Sequence, residues 1–281
     1  FEAIFAVSPW RTWRSDGLVL AANRTNLTVT IPPQTPPSQP EVDALMATSL
    51  SGILNEGSAR AWLGHLQVLN AARHHSSVLI LEDDADWDIK IHEQAKMVAS
   101  AMRNLSTPSN ATAAPGWPWG NHWDVLWLGH CGERLPFPEE IEESEAEELG
   151  PEAFDDDDIR LGDGPPFTRW IQYAAGPICS FAYAVNGRSV AHILDDFKQG
   201  AAQAWDLWLH TRCRTHELRC FSANPELFHH HIPAAASNLQ HSLVNTHLQD
   251  EGTHNYTANI KWSARCNWDK GDDELVSCIE Q

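Results

Sequence analysis

The sequence predicts a single α/β domain whose mixed sheet is flanked by helices. Strand-length apolar runs alternate with segments of helical period along most of the chain. Val78-Leu79-Ile80-Leu81, four aliphatic residues in a row, reads as a strand buried on both faces. The 281 residues, 42% of them hydrophobic, supply enough apolar surface for one large core.

The elements follow in order. Residues 3–8 read as a first strand, and 9–16, with Pro9 and Trp10 leading, as a loop entering a helix. Leu27-Thr28-Val29-Thr30-Ile31 alternates as a second strand closed by Pro32 and Pro33, and the proline-rich 32–40 stretch reads as a surface loop. A helix over 58–73, capped by Ser58, puts Trp62, Leu63, Leu66 and Leu69 on one face. After the Val78 strand comes a helix over 89–102, a loop over 108–120 and a strand over 123–129. Short strands over 171–175 and 180–185 surround Gly176-Pro177, helices follow over 189–197 and 202–210, and 219–222 makes a last short strand. Beyond Pro233 little regular structure is expected. The reading divides the chain into a main domain over 1–238 and a C-terminal tail, 239–281, packed on or beside it.

Composition excludes some functions. A net charge of -19 argues against nucleic-acid binding, which needs a basic surface to neutralise phosphates. Much of the imbalance sits in an insertion over 139–158, which holds 12 acids and no base; such a block repels itself and reads as solvated. No apolar run approaches the roughly 20 residues of a membrane span. Phe1 opens directly into Glu2-Ala3-Ile4 without a secretory signal, so any leader or type II anchor is expected to have been removed. Sequons at Asn23, Asn26, Asn104, Asn110 and Asn255, with six cysteines lacking zinc spacing, point to the secretory lumen (Golgi or ER) or to secretion. Cys213 with Cys220, and Cys266 with Cys278, are spaced to close short loops as disulfides.

The chemistry concentrates where the Val78 strand ends. Glu82, Asp83, Asp84, Asp86 and Asp88 place five carboxylates within seven positions. Acids at the edge of an apolar core are costly unless something positive offsets them, and a hard divalent cation prefers carboxylate oxygens. A cation there would in turn hold a diphosphate at a strand's C-terminal end, where open α/β sheets bind ligands. The alternative is a solvated acidic turn, and Asp86 and Asp88 read as the solvated start of the next helix.

Gly57 to Leu66 followed by Leu79-Ile80-Leu81-Glu82-Asp83-Asp84 resembles the opening half of glycosyltransferase family 25, which includes lipooligosaccharide and collagen galactosyltransferases. Segments 123–129, 176–185 and 205–209 look like later blocks of that family, so the resemblance spans most of 3–238. It implies a Rossmann-like glycosyltransferase-A fold, Mn²⁺ (or Mg²⁺), a UDP-sugar donor and inverting transfer of a hexose, galactose first, to a glycan or glycoconjugate hydroxyl. On it, Asp84 is the first metal ligand, with Glu82 reaching the ribose or a metal-bound water and Asp83 beside them. His231, then His230, is the late histidine for the metal or pyrophosphate. Arg11 and Arg14, helped by Ser8, contact the nucleotide, although Trp13 stands where the family has an acid. Asp206 at a helix start is the base or else a purely structural helix-start acid, and Trp205 and Trp208 are core residues or sugar platforms. Ala234 to Asn238 departs from the family's Ser-Asp. Two alternatives stand beside this reading: a catalytically inactive glycan-binding relative, and a metal-dependent hydrolase. His65 reads as a satisfied helix histidine; grouped with the histidine run it would make a zinc site.

Overall fold

A computed structural model describes residues 1–49, 54–106, 117–120, 122–133, 145–148, 168–197, 203–232 and 255–278, with backbone alone for 145–148 and 168. Strands Ala3–Val7 (β1), Val29–Thr30 (β2), Ser77–Glu82 (β3), Val125–Gly129 (β5), Thr168–Tyr173 (β7), Ala182–Asn186 (β8) and Cys220–Asn224 (β9) form the main sheet. Their order is β2-β1-β3-β8-β5-β9-β7, and Glu145–Glu148 (β6) adds a short strand at the β7 edge. β1 runs parallel to β2 and β3, and β5 runs parallel to β9, while β8 is antiparallel to both β3 and β5. A small antiparallel sheet joins Ala85–Trp87 (β4), Phe228–Ile232 (β10) and Tyr256–Thr257 (β11).

Alternation along each strand feeds two cores, one per face. Val78 and Ile80 join Phe5, Val7, Val125 and Trp127 under Gln39–Ala47 (α2), Glu56–Ala72 (α3), Gly187–Phe197 (α5) and Trp205–Arg214 (α6). Leu79 and Leu81 join Ala6, Leu126 and Leu128 under Trp13–Arg24 (α1) and Ile91–Ser106 (α4). Both faces are covered, which is why the central strands read as unbroken apolar runs.

Several expectations shift. The proline stretch conceals α2: Ser38 is its N-cap and Pro40 sits in the first turn, where a missing N–H costs nothing. Asn55, not Ser58, caps α3, its side chain accepting from the Ser58 amide at 2.8 Å. Part of the acidic block is ordered backbone, because β6 pairs antiparallel with β7 from Glu145 opposite Ile171 to Glu148 opposite Thr168; the four-Asp run, Asn110 and Ala234 to Asn238 lie outside the described residues. Residues 255–278 pack against the domain, with Ile260 and Ala264 buried. Trp205 and Trp208 are core residues around Trp62.

Cys213–Cys220 and Cys266–Cys278 are bonded as their spacing suggested, and Cys131–Cys179 joins the end of β5 to the loop before β8. Three disulfides indicate an oxidising compartment, secretory or extracellular. Among the described residues no helix is long and apolar enough to cross a membrane. The sequon asparagines Asn23, Asn26, Asn104 and Asn255 are all exposed.

Candidate functional site

The parallel neighbours β1 and β3 end side by side, Val7 opposite Glu82. The chain then turns at Asp83 and Asp84 into β4, while β1 runs through Ser8 into the N-terminus of α1. Thr12 caps that helix and accepts from the Arg14 amide, so Arg14 leaves from its first turn toward the acids. Its Nε donates to Asp83 Oδ1 at 2.6 Å and its Nη2 pairs with Asp84 Oδ2 at 2.7 Å. Ser8 Oγ lies 3.0 Å from Asp83 Oδ2. Burial alone would lower the Arg14 pKa, but the charges of Asp84 and Asp83 outweigh it and raise it. Burial also raises Asp83, against the pull of Arg14.

Glu82 closes the other side, its side chain 30% exposed. Ser180 Oγ donates to it at 2.6 Å. Enclosure, then the Asp84 charge, pushes Glu82 up to about 7. Asp206, in the first turn of α6, is near enough for its charge to add to that rise, and its Oδ2 accepts from the Cys179 amide at 3.0 Å. His65 is buried behind Glu82, sharing a hydrogen bond with the Tyr183 hydroxyl at 2.9 Å; burial holds it neutral, down at about 3. It is a satisfied core histidine. Ser8, Arg14, Glu82, Asp83, Asp84 and Asp206 therefore gather at one edge of the sheet.

Arg11 does not join them. Its side chain is 86% exposed and pairs with Asp16 at 2.8 Å. It lies on a cleft of about 520 Å³ lined also by Ser8, Trp10, Asp16, Val19, Leu20 and Ile31, which reaches the site only through Ser8.

The two late histidines face opposite ways. β10 pairs with β4 so that His230 lies opposite Ala85, and the pleat sends neighbouring side chains to opposite faces. His231 faces away from Asp84: its Nδ1 shares a hydrogen bond with Thr257 Oγ1 at 2.9 Å and lies 3.6 Å from Asp86. His230 is the one near Asp84 and Arg14, whose charges act on it in opposite directions; burial, then His229, lowers it to about 4. Neutral imidazole is the form that binds metal.

Asp86 and Asp88 are not solvated. Asp86 is 0% exposed and Asp88 5%. Asp86 Oδ1 accepts from the Trp87 and Arg265 amides, and its Oδ2 from the Thr257 hydroxyl at 2.6 Å and the Ser263 hydroxyl. Burial would raise its pKa, but His231, Arg265 and Ser263 together lower it. Sequence reasoning missed these partners; the only signal was a lone arginine, Arg265, in a stretch with no periodicity.

A divalent cation can be tested against the donors present. Asp84 Oδ1 and His230 Nδ1 are both buried without a hydrogen-bond partner. Among the described residues no three His, Cys, Asp or Glu side chains converge into a ligand set. Two protein donors suit a cation of the Mg²⁺ or Mn²⁺ kind, which takes its remaining ligands from water and substrate phosphates. Asp84 Oδ1 and His230 Nδ1 are thus the two candidate donors for such a cation.

The chain matches no known protein family and no curated protein.

Proposed function

We propose that this chain is a metal-dependent glycosyltransferase that moves a hexose, galactose first among the candidates, from a UDP-sugar to a glycan or glycoconjugate hydroxyl with inversion. One observation carries the reading. Asp83 and Asp84 are clamped by Arg14 at the C-terminal end of parallel strands, with Asp84 Oδ1 and His230 Nδ1 left over. Asp84 and His230 would hold Mn²⁺, which when bound neutralises the diphosphate and the charge growing on departing UDP.

Arg14, paired with both Asp83 and Asp84, fixes the direction of the two carboxylates. Trp10 and Arg11 border the cleft beside Ser8, a mainly apolar space that could take a nucleoside base. Asp206 takes the proton from the acceptor hydroxyl as that oxygen bonds to the anomeric carbon and the carbon–phosphate oxygen bond breaks. The Cys179 amide keeps one Asp206 oxygen engaged and so fixes the carboxylate's direction. Glu82, pushed up to about 7, is about half protonated at neutral pH, and its protonated form would lend one hydrogen-bond donor to the sugar or ribose.

The test is thermal. UDP raises the melting temperature when Mn²⁺ is present and leaves it unchanged with chelator, through linkage to the folded state. Stabilisation by free sugars without metal would replace this reading with a lectin. Loss of stability to chelator alone, indifferent to UDP, would replace it with a metal-dependent hydrolase.

A further inference from the structure

Both halves of the candidate site are tied to one residue of the C-terminal segment. Arg265 is buried, and its guanidinium spends its donors on main-chain carbonyls. Nε donates to Ala85 at 2.9 Å, Nη2 to Asp83 at 2.6 Å and Nη1 to Arg14 at 3.0 Å. Its amide donates to Asp86 Oδ1 at 3.0 Å. One planar fork thus spans the acidic turn and the first turn of α1, the segments that present Asp83–Asp84 and Arg14. A lysine ammonium is a single point and cannot bridge all three carbonyls. The guanidinium also lies against Gly17 of α1, where a Cβ would collide with it. Glycine inside a helix is otherwise unfavourable relative to alanine, so its presence here is explained by this passage.

We propose that Arg265 is a positioning residue that sets the spacing between Arg14 and the Asp83–Asp84 pair, and thereby shapes the diphosphate-binding edge. The inference rests on the reading given above for what that edge binds.

Arg24 provides the control. It joins the same segment to the same helix, through Asn267 O at 3.0 Å and Asp272 at 2.6 Å, but it touches none of the site residues. The experiment compares Arg265→Lys, Gly17→Ala and Arg24→Gln with the unaltered protein in two measurements. The first is amide hydrogen exchange over 12–18 and 83–88. The second is UDP affinity in saturating Mn²⁺. Arg265→Lys and Gly17→Ala should speed exchange in both segments and weaken UDP at least tenfold, whereas Arg24→Gln should change UDP affinity less than twofold. Unchanged exchange in Arg265→Lys, or equal loss of affinity in Arg24→Gln, overturns the proposal. If the unaltered protein shows no metal-dependent UDP binding, the nucleotide reading falls, and the exchange data alone decide whether Arg265 sets this edge. If Arg265→Lys does not fold, Gly17→Ala carries the test.

Discussion

Asp86→Asn separates a buried structural anion from a solvated helix-start acid. The substitution keeps the shape and leaves Oδ1 to the Trp87 and Arg265 amides. It replaces the Oδ2 acceptor that serves the Thr257 and Ser263 hydroxyls with an NH₂ group. Two hydrogen bonds to a charged group are lost, each worth about 1.5–3 kcal/mol. The buried Arg265 guanidinium also loses the negative charge that acts on it most strongly. The expected destabilisation is about 3–5 kcal/mol, the range seen when one member of a buried charged network is removed. For a chain of this size that lowers the melting temperature by about 5–9 °C. The assay is urea unfolding followed by tryptophan fluorescence, with the midpoint and slope fitted together. Because the folded pKa of Asp86 lies below its usual value, its contribution is present above the unfolded value of 3.8 and is lost as pH falls through the folded one. The deficit of Asp86→Asn should therefore shrink in acid. A change under 0.5 kcal/mol at neutral pH, typical of surface sites, would refute the reasoning.

Other outcomes follow from the same geometry. Glu133 accepts from the Ala175 and Gly176 amides, and burial raises it from 4.5 to about 7. Its folded form holds a proton more tightly than the unfolded chain does, so stability falls as pH rises from 4.5 to 7; Glu133→Gln should remove about 3 kcal/mol of that fall in pH-dependent unfolding. Asp206→Asn should keep metal-dependent UDP affinity and lower turnover about 10²- to 10⁴-fold in a transfer assay; normal turnover removes Asp206 from the base role. Replacing Cys131 and Cys179 by serine should cost about 4 kcal/mol, against about 2 for Cys213 and Cys220, since the bonds span 48 and 7 residues. Equal losses by chemical denaturation would contradict that order.

The strand carrying the site was legible because four aliphatics in a row have few other uses, and the burst of acids marked its end. Arg14 was named together with Arg11 through the family resemblance, and only Arg14 reaches the acids. Where sequence reading failed, the determinant was remote. Asp86 looked solvated because its partners Thr257, Ser263 and Arg265 lie 171 to 179 residues away. His230 and His231 could not be ranked without the register that sets His230 opposite Ala85. The helix α2 was hidden because proline usually marks a loop, yet at a helix's first turn it is tolerated. Segment 255–278 has almost no periodicity, so its role as a wall of the acidic turn rests on single polar contacts that no pattern announces.

The claim beneath the account is that Asp84 and a diphosphate share one divalent cation. Electron paramagnetic resonance of Mn²⁺ titrated with protein and UDP reads this directly. The account predicts bound Mn²⁺ with phosphorus coupling from UDP, abolished by Asp84→Asn in a variant that remains folded. Binding of Mn²⁺ that ignores UDP, or that survives Asp84→Asn unchanged, would contradict it.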